Sequence, residues 1–293
     1  MNKMLSNKKA ILIFMLPATL MFLCVQILPI FMSGYYSLFD WDGMSEKTFI
    51  GFENYVTLFK SKTIGFPAAL GNSFKYAFFA VFLQLPLALL LALILSSGVP
   101  GEKVFVSIFF IPVLISTSVT GQLFVRIYNG DYGILNKLLE AVGLESLKST
   151  WLANPKQSLY CVFVPMVWQF IGYHMLLLYA AIKTISTDIL EAATIDGAGF
   201  WKRSFKITIP LIKPTLRVCL IFALTGALKM FDLVNVMTDG GPIHSSEVPA
   251  TLMVRQIFTQ YHYGRGSAIA LFIIMECFLV SVLIRKFVKV EEL

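Results

Sequence analysis

An all-α membrane protein of about six transmembrane helices is the fold class this sequence predicts. Apolar residues make up 57% of the 293 and charged residues only 14%, whereas an ordinary soluble domain spends about a quarter of its residues on charge. The apolar excess is gathered into long runs, and a bilayer core about 30 Å thick takes around 20 apolar residues per spanning helix. Pro17, Pro29, Pro86, Pro112 and Pro165 lie inside those runs. There packed neighbours can satisfy the freed carbonyls, so kinks are predicted.

No charge falls between Lys9 and Asp40, Lys75 and Glu102, Lys103 and Arg126, or Lys156 and Lys183, which gives the first four spans. The fifth, Val218 to Val236, is interrupted by Lys229 and Asp232, and the sixth, Ser267 to Ile284, by Glu276. The first run is longer than the roughly 7 to 15 apolar residues of a signal peptide and has no small-x-small cleavage site, so it is kept as a helix. Residues 1–38 are then a tail and the first helix, 39–71 an outer segment, 72–288 the core with an inner loop at 184–213, and 289–293 a tail. The outer segments carry turn signals at Asp40-Trp41-Asp42-Gly43, Asn129-Gly130-Asp131 and Gly240-Gly241-Pro242, and a helical pattern from Ile134 to Val142. They suit either a platform for an external partner or simple caps on the helix ends.

Basic residues set the orientation. The cluster Lys202, Arg203, Lys206, Lys213 and Arg217, with Lys103, Lys183 and Arg285, falls on the side of both chain ends, which places both termini in the cytoplasm. The net charge of +7 follows from this bias and from anionic lipid, without nucleic acid. Cys24, Cys161, Cys219 and Cys277 all lie in spans with no CxxC spacing, so neither a disulfide framework nor a metal site is predicted.

The inner loop from Thr184 to Lys213 is too polar to span and too patterned for a plain connector. Asp188 and Glu191 have the spacing of a capping box and predict a short helix to about Ala198. Gly197 and Gly199 stop it. A second helical piece follows from Phe200 and ends at Pro210. Ala192 and Ala193 on the first helix would let another backbone approach, with Glu191 and Asp196 offering carboxylates to arginines. An interfacial helix with Lys202, Arg203 and Lys206 at the headgroups fits equally well.

Glu191-Ala192-Ala193, three residues, Gly197, nine residues, Ile207-Thr208-Ile209-Pro210 resembles the EAA loop of binding-protein-dependent ABC importer permeases, with Ile209 where the family usually has leucine. Phe52-Glu53-Asn54-Tyr55, Tyr128-Asn129-Gly130-Asp131-Tyr132-Gly133, Ile195-Asp196-Gly197-Ala198 and Thr238-Asp239-Gly240-Gly241-Pro242 are similar to the carbohydrate branch, of maltose and glycerol-phosphate type. The resemblance implies a type I permease fold and a coupling helix seated in an ATPase subunit, with Glu191, Ala192, Ala193, Asp196, Gly197, Ala198, Ile207 and Pro210 at that contact. It further implies an unlike second permease, two ATPase subunits, an extracytoplasmic solute-binding protein and a sugar or sugar-like solute. The tail from Arg285 to Leu293 lacks the glycine-rich ending of the second kind of permease, which assigns this chain to the first kind.

The sequence has no Gly-Lys-Ser/Thr P-loop, so ATP and Mg would be bound by the partner ATPases, with no cofactor and no catalytic residue in this chain. HExxH and GxSxG are absent, and His174, His244 and His262 are widely separated, which disfavours a membrane enzyme; His174 reads as a packing or pathway residue. A secondary transporter could use Lys229, Asp232 and Glu276 for ion coupling, but would leave the inner loop without a role. A charge on the lipid face costs at least about 2.5 kcal/mol, so these three are expected to face inward. Lys229 stands 11 residues after Val218, roughly 16 Å along a helix and near mid-membrane. Lys229, Asp232 and Asn235 would share a helix face, and Phe231, Trp168 and Tyr173 are candidates to stack on a sugar. A Lys229–Glu276 salt bridge joining two helices is the other reading of the charges.

Overall fold

The computed structural model describes residues 8–289; residues 1–7 and most of the tail predicted at 289–293 lie outside it. Among the described residues, five helices are long and apolar enough to cross a membrane: α1 (Ile11–Tyr36), α3 (Phe66–Ser96), α7 (Ser158–Lys183), the run Lys213–Met237 and α13 (Tyr263–Phe287). A bent pair, α4 (Glu102–Leu114) and α5 (Thr117–Ile127), makes a sixth crossing if taken as one, with 93° between its halves. Between them lie a two-residue hairpin, β1 (Phe39–Asp40) and β2 (Thr48–Phe49), and the short helices α2 (Glu53–Lys60), α6 (Ile134–Ala141), α8 (Thr187–Ile195), α9 (Phe200–Arg203) and α12 (Pro249–Val254). The chain divides into two compact units, one of the described residues up to Ile64 with Met253–Ile274, the other of Gly65–Leu252 with the described residues from Met275 on.

In the first unit α1 leaves its large apolar side chains exposed, Leu12, Phe14, Met21 and Phe31 among them, as a surface facing hydrocarbon must. The Phe52-Glu53-Asn54-Tyr55 stretch ties α2 back to the end of α1. Asn54 Nδ2 donates to the carbonyls of Ser37 and Phe39 at 2.8 and 2.9 Å, and the Tyr55 hydroxyl meets Ser37 Oγ at 2.9 Å. The hairpin turn closes on Asp42, whose carboxylate accepts from the Met44 and Ser45 amides at 2.9 and 2.7 Å; these amides hold its pKa down to about 2.

The second unit is a packed bundle. One apolar cluster gathers Tyr76, Phe163, Met166, Leu233 and Val234, with Tyr76 and Phe163 stacked at 5.5 Å. Another gathers Ala88, Ala92, Met175, Leu178 and Cys219, where alanines on α3 let helix backbones come close. At one end of the bundle Glu102, in the first turn of α4, pairs with Lys183 Nζ at 2.6 Å and accepts from the Tyr179 hydroxyl. Outer turns are pinned by side chains: Asn72 Nδ2 donates to the Ser245 and Glu247 carbonyls at 3.0 and 2.9 Å, and Asn129 Oδ1 accepts from the Asp131 and Tyr132 amides at 3.0 Å each. All four cysteines are free thiols.

Prolines act in two ways. Pro29, Pro86 and Pro210 each follow a π-turn, at Leu23–Ile27, Ala80–Gln84 and Ser204–Thr208. The wider turn moves aside a carbonyl that the ring would strike. Pro17 and Pro165 sit in uninterrupted α-helix, with neither a π-turn nor a break before them. Two runs expected as single helices are broken instead. The third bends after Pro112, where Ile115 (φ −79°, ψ 134°) and Ser116 (φ −55°, ψ 136°) are extended. The fifth splits into α10 (Lys213–Leu228) and α11 (Asp232–Met237).

Helix α7 approaches α4 closely at Gly172. A Cβ at Gly172 would stand 2.0 Å from the Phe109 carbonyl oxygen and 3.2 Å from Phe110 Cα, so only glycine fits. Gly172→Ala is therefore expected to lower the stability of the detergent-extracted protein by about 1–3 kcal/mol, read as a fall in thermal midpoint. Gly71→Ala, where an added Cβ meets nothing within 4 Å, should leave the midpoint unchanged or raise it. Equal midpoints for the two variants would refute the close approach.

Candidate functional site

The two broken helices meet one cavity. Where α4 and α5 part, the Ile115 carbonyl has lost its helical partner, and Gln169 Nε2 from α7 donates to it at 2.8 Å. Where α10 and α11 part, Lys229 (φ −97°, ψ 16°) and Phe231 (φ −133°, ψ −62°) leave the helical path, and the Met230 amide closes on the Ala227 carbonyl at 3.2 Å. Beside these breaks is a cavity of about 540 Å³, lined by Gln84, Val113, Thr117, Phe170, Tyr173, His174, Phe222, Thr225, Lys229, Phe231 and Asp232 among others. An apolar wall with a few convergent polar groups is the usual make-up of a small-solute site.

Four residues singled out from the sequence are brought together here: Lys229, Asp232, Phe231 and Tyr173. Three are not. Trp168 packs on Phe124, with ring centroids 5.8 Å apart, and lines a separate apolar hollow with Leu83, Ile108 and Phe109. Asn235 is exposed on α11 and does not line the cavity. The face expected to carry Lys229, Asp232 and Asn235 does not exist as one, because the helix breaks between the first two. Glu276 is buried with both carboxylate oxygens unpaired, and the ion pairs among the described residues do not include one between it and Lys229. Sequence reasoning passed over Gln84, Thr117 and Thr225, and gave His174 no partner. Polar side chains inside otherwise apolar spans were the signal.

The inner loop folds as a capped helix and a second, bulged one. Ser186, not Asp188, caps α8: its Oγ accepts from the Asp188 amide at 3.3 Å. The stop is a Schellman turn, with the Gly197 amide on the Thr194 carbonyl at 3.0 Å and the Ala198 amide on the Ala193 carbonyl at 2.9 Å. Gly197 takes φ +76°, which a side chain resists. Gly199 does not stop the helix; it is extended (φ −62°, ψ 169°) and leads into α9. Pro210 does not end the second piece either, since the π-turn before it carries the chain on through Ile209–Leu211. Ala193 faces inward at 8% exposure, whereas Glu191, Ala192 and Asp196 are exposed, Ala198 and Ile207 half-buried and Pro210 exposed. Around them stand Ile195 at 86%, Trp201 at 57% and Phe205 at 62% exposure, an apolar surface with carboxylates at its edge.

Residues 84–289 match the family described as binding-protein-dependent transport system inner membrane component. The chain belongs to this family. Among its relatives, a probable ABC transporter permease protein, YurN of Bacillus subtilis, is 37% identical over 286 residues, covering 97% of each chain. The trehalose/maltose transport system permease protein MalF of Thermococcus litoralis is 32% identical over 260 residues, covering 88% of this chain and 86% of that one. In fold, the chain superposes on a bacterial alginate ABC transporter crystallised with an alginate pentasaccharide-bound periplasmic protein, with a TM-score of 0.85, 98% of each chain covered and 23% identity. The permease is thus a transport component of the inner membrane with the ABC importer permease fold. The family match spans both the cavity and the inner loop.

The cavity lining sets an accessibility test for the permease. In a background with its four cysteines replaced, Lys229→Cys and Asp232→Cys are expected to react with a water-soluble, membrane-impermeant thiol reagent, and Trp168→Cys with a lipid-phase one. The reverse pattern would place the path elsewhere.

Proposed function

We propose that this permease is the first-kind transmembrane subunit of an ATP-driven importer for a sugar, oligosaccharide or related solute, working by alternating access. The observation that carries the proposal is a single chain holding both a solute-sized cavity at two helix breaks and an exposed, rigidly capped loop spliced between α7 and α10, which both line that cavity. The trehalose/maltose name of one relative and the alginate transport of the structural neighbour support a carbohydrate solute. The bound periplasmic protein of that neighbour supports delivery by an extracytoplasmic binding protein.

In this reading an unlike second permease completes the path, and two ATPase subunits on the cytoplasmic side hydrolyse ATP. The basic cluster at Lys202, Arg203, Lys206, Lys213 and Arg217 lies on that side, as do both chain ends. The exposed face of Glu191, Ala192 and Asp196 seats in the ATPase. Closure of the ATPase pair displaces the loop, α7 and α10 move with it, and the cavity exchanges its outer opening for an inner one. The chain supplies a path and a linkage, while bond chemistry belongs to its partners.

Two outcomes are expected. The purified chain alone should show no ATP turnover, which should appear only when the ATPase subunits and second permease are added; turnover by the isolated chain would overturn the proposal. Gly197→Asp, which forces a side chain into the φ +76° position, and Glu191→Lys should each abolish uptake while the subunit still inserts and is found in the membrane fraction. Wild-type uptake by both would remove the coupling role and favour a helix lying on lipid.

A further inference from the structure

Two buried polar side chains line the cavity without a hydrogen-bond partner among the described residues. His174 on α7 is 3% exposed and Gln84 on α3 is also 3% exposed, and both line the cavity. No group among the described residues hydrogen-bonds His174; its Nδ1 is sealed from solvent, which leaves Nε2 to make contacts. The ring is fixed edge-on to Tyr173, with centroids 5.3 Å apart and planes at 77°. Gln84 is the last residue of the π-turn Ala80–Gln84, and its amide makes no hydrogen bond among the described residues. The added residue in a π-turn rotates the side chains that follow, and such turns recur at functional positions.

Buried polar groups are ordinarily paired, because an unpaired one forfeits its hydration for nothing. Two unpaired side chains on one cavity wall, a donor-acceptor amide and an imidazole, amount to a preformed set of hydrogen-bond positions. Apolar surface from Phe170, Phe222 and Phe231 lies around them. That combination fits a ring with hydroxyls on its edge and C–H groups on its face.

We infer that His174 and Gln84 hydrogen-bond hydroxyl groups of the solute as it passes, and so set which solutes cross. The inference rests on the sugar-importer reading and deepens it by naming contacts. Because solute arrives already held by a binding protein, these contacts act on the passage step. Their loss lowers turnover and leaves the KM for loaded binding protein unchanged.

The test uses the complete importer in proteoliposomes, with loaded binding protein outside and radiolabelled glucose, trehalose, maltose and maltotriose as probes. His174→Leu and Gln84→Leu are each expected to slow turnover of the transported sugar roughly tenfold, with KM unchanged and the complex intact by size exclusion. His174→Gln, which keeps a donor and an acceptor, should recover most of the rate. Wild-type turnover in His174→Leu, a loss of assembled complex, or equal impairment of His174→Leu and His174→Gln would each overturn the inference and leave a packing role. Absence of uptake of all four probes by the wild-type importer is a different failure, of the sugar reading itself.

Discussion

Hydrocarbon offers no hydrogen bonds, so every backbone amide and carbonyl of a membrane-crossing segment needs a partner within the protein. This constraint decides where the permease can be irregular. A helix can part only where another group receives what the break frees, and at Ile115 that group is the buried side chain of Gln169 on α7. At Lys229 to Phe231 the chain recovers part of its bonding through short-range turns, with the Lys229 amide on the Thr225 carbonyl at 3.2 Å. Both irregular stretches border the cavity, with Val113 and Thr117 flanking the first and Lys229, Met230 and Phe231 forming the second. Irregular backbone at membrane depth is tolerated where it lines a cavity within the protein, so the cavity and the breaks explain each other.

The same constraint separates what the sequence reveals from what it hides. Charge-free runs of about twenty residues are visible in one dimension, because the bilayer imposes length and composition on each helix separately. The helix at Ile134–Ala141 and the turn at Gly197 were likewise local matters, set by periodicity and by φ. The breaks were not legible. Pro112 stands before a 93° bend while Pro165 sits in continuous helix, and the difference lies in a partner, Gln169, that is far along the chain. Gly172 gave no signal either, because its need for a missing side chain comes from the backbone of α4. For the site, charges inside spans pointed to Lys229 and Asp232, which line the cavity, whereas Asn235, chosen by helical spacing, does not line it once the helix has split. Ser186 in place of Asp188 as the cap moves that boundary by two residues, within the usual uncertainty of helix ends.

The family motifs gain a physical meaning from this structure. Asn54 holds two carbonyls at the end of α1, Asn129 closes the turn after α5, and Asp196-Gly197-Ala198 forms the Schellman turn after α8. In the Thr238-Asp239-Gly240-Gly241-Pro242 stretch, the Thr238 and Ser246 hydroxyls meet at 2.8 Å and Ser246 Oγ donates to the Gly241 carbonyl at 2.6 Å. Each motif lies at or beyond a helix end, where backbone groups lose their helical partners. None of them contributes a cavity-lining residue.

In the proposed mechanism, motion at the loop would reach the cavity by covalent continuity, because α7 ends at Lys183 and α10 begins at Lys213, on either side of the loop. The Glu102–Lys183 pair adds α4 to this body at one end, and the glycine contact at Gly172 fastens α4 to α7 along its length. The far end of α4 is the Ile115–Ser116 break. Beyond it, α5 packs against α11, the segment that follows the other break. Force entering at the loop would thus be carried by α4, α7 and α10 together, while α5 and α11, which also pack against α7, join α4 and α10 through two extended or irregular stretches. A packed body does not bend gradually, so displacement concentrates at those two stretches. They lie at the cavity, which is where a change in loop position has to be converted into a change in which side is open.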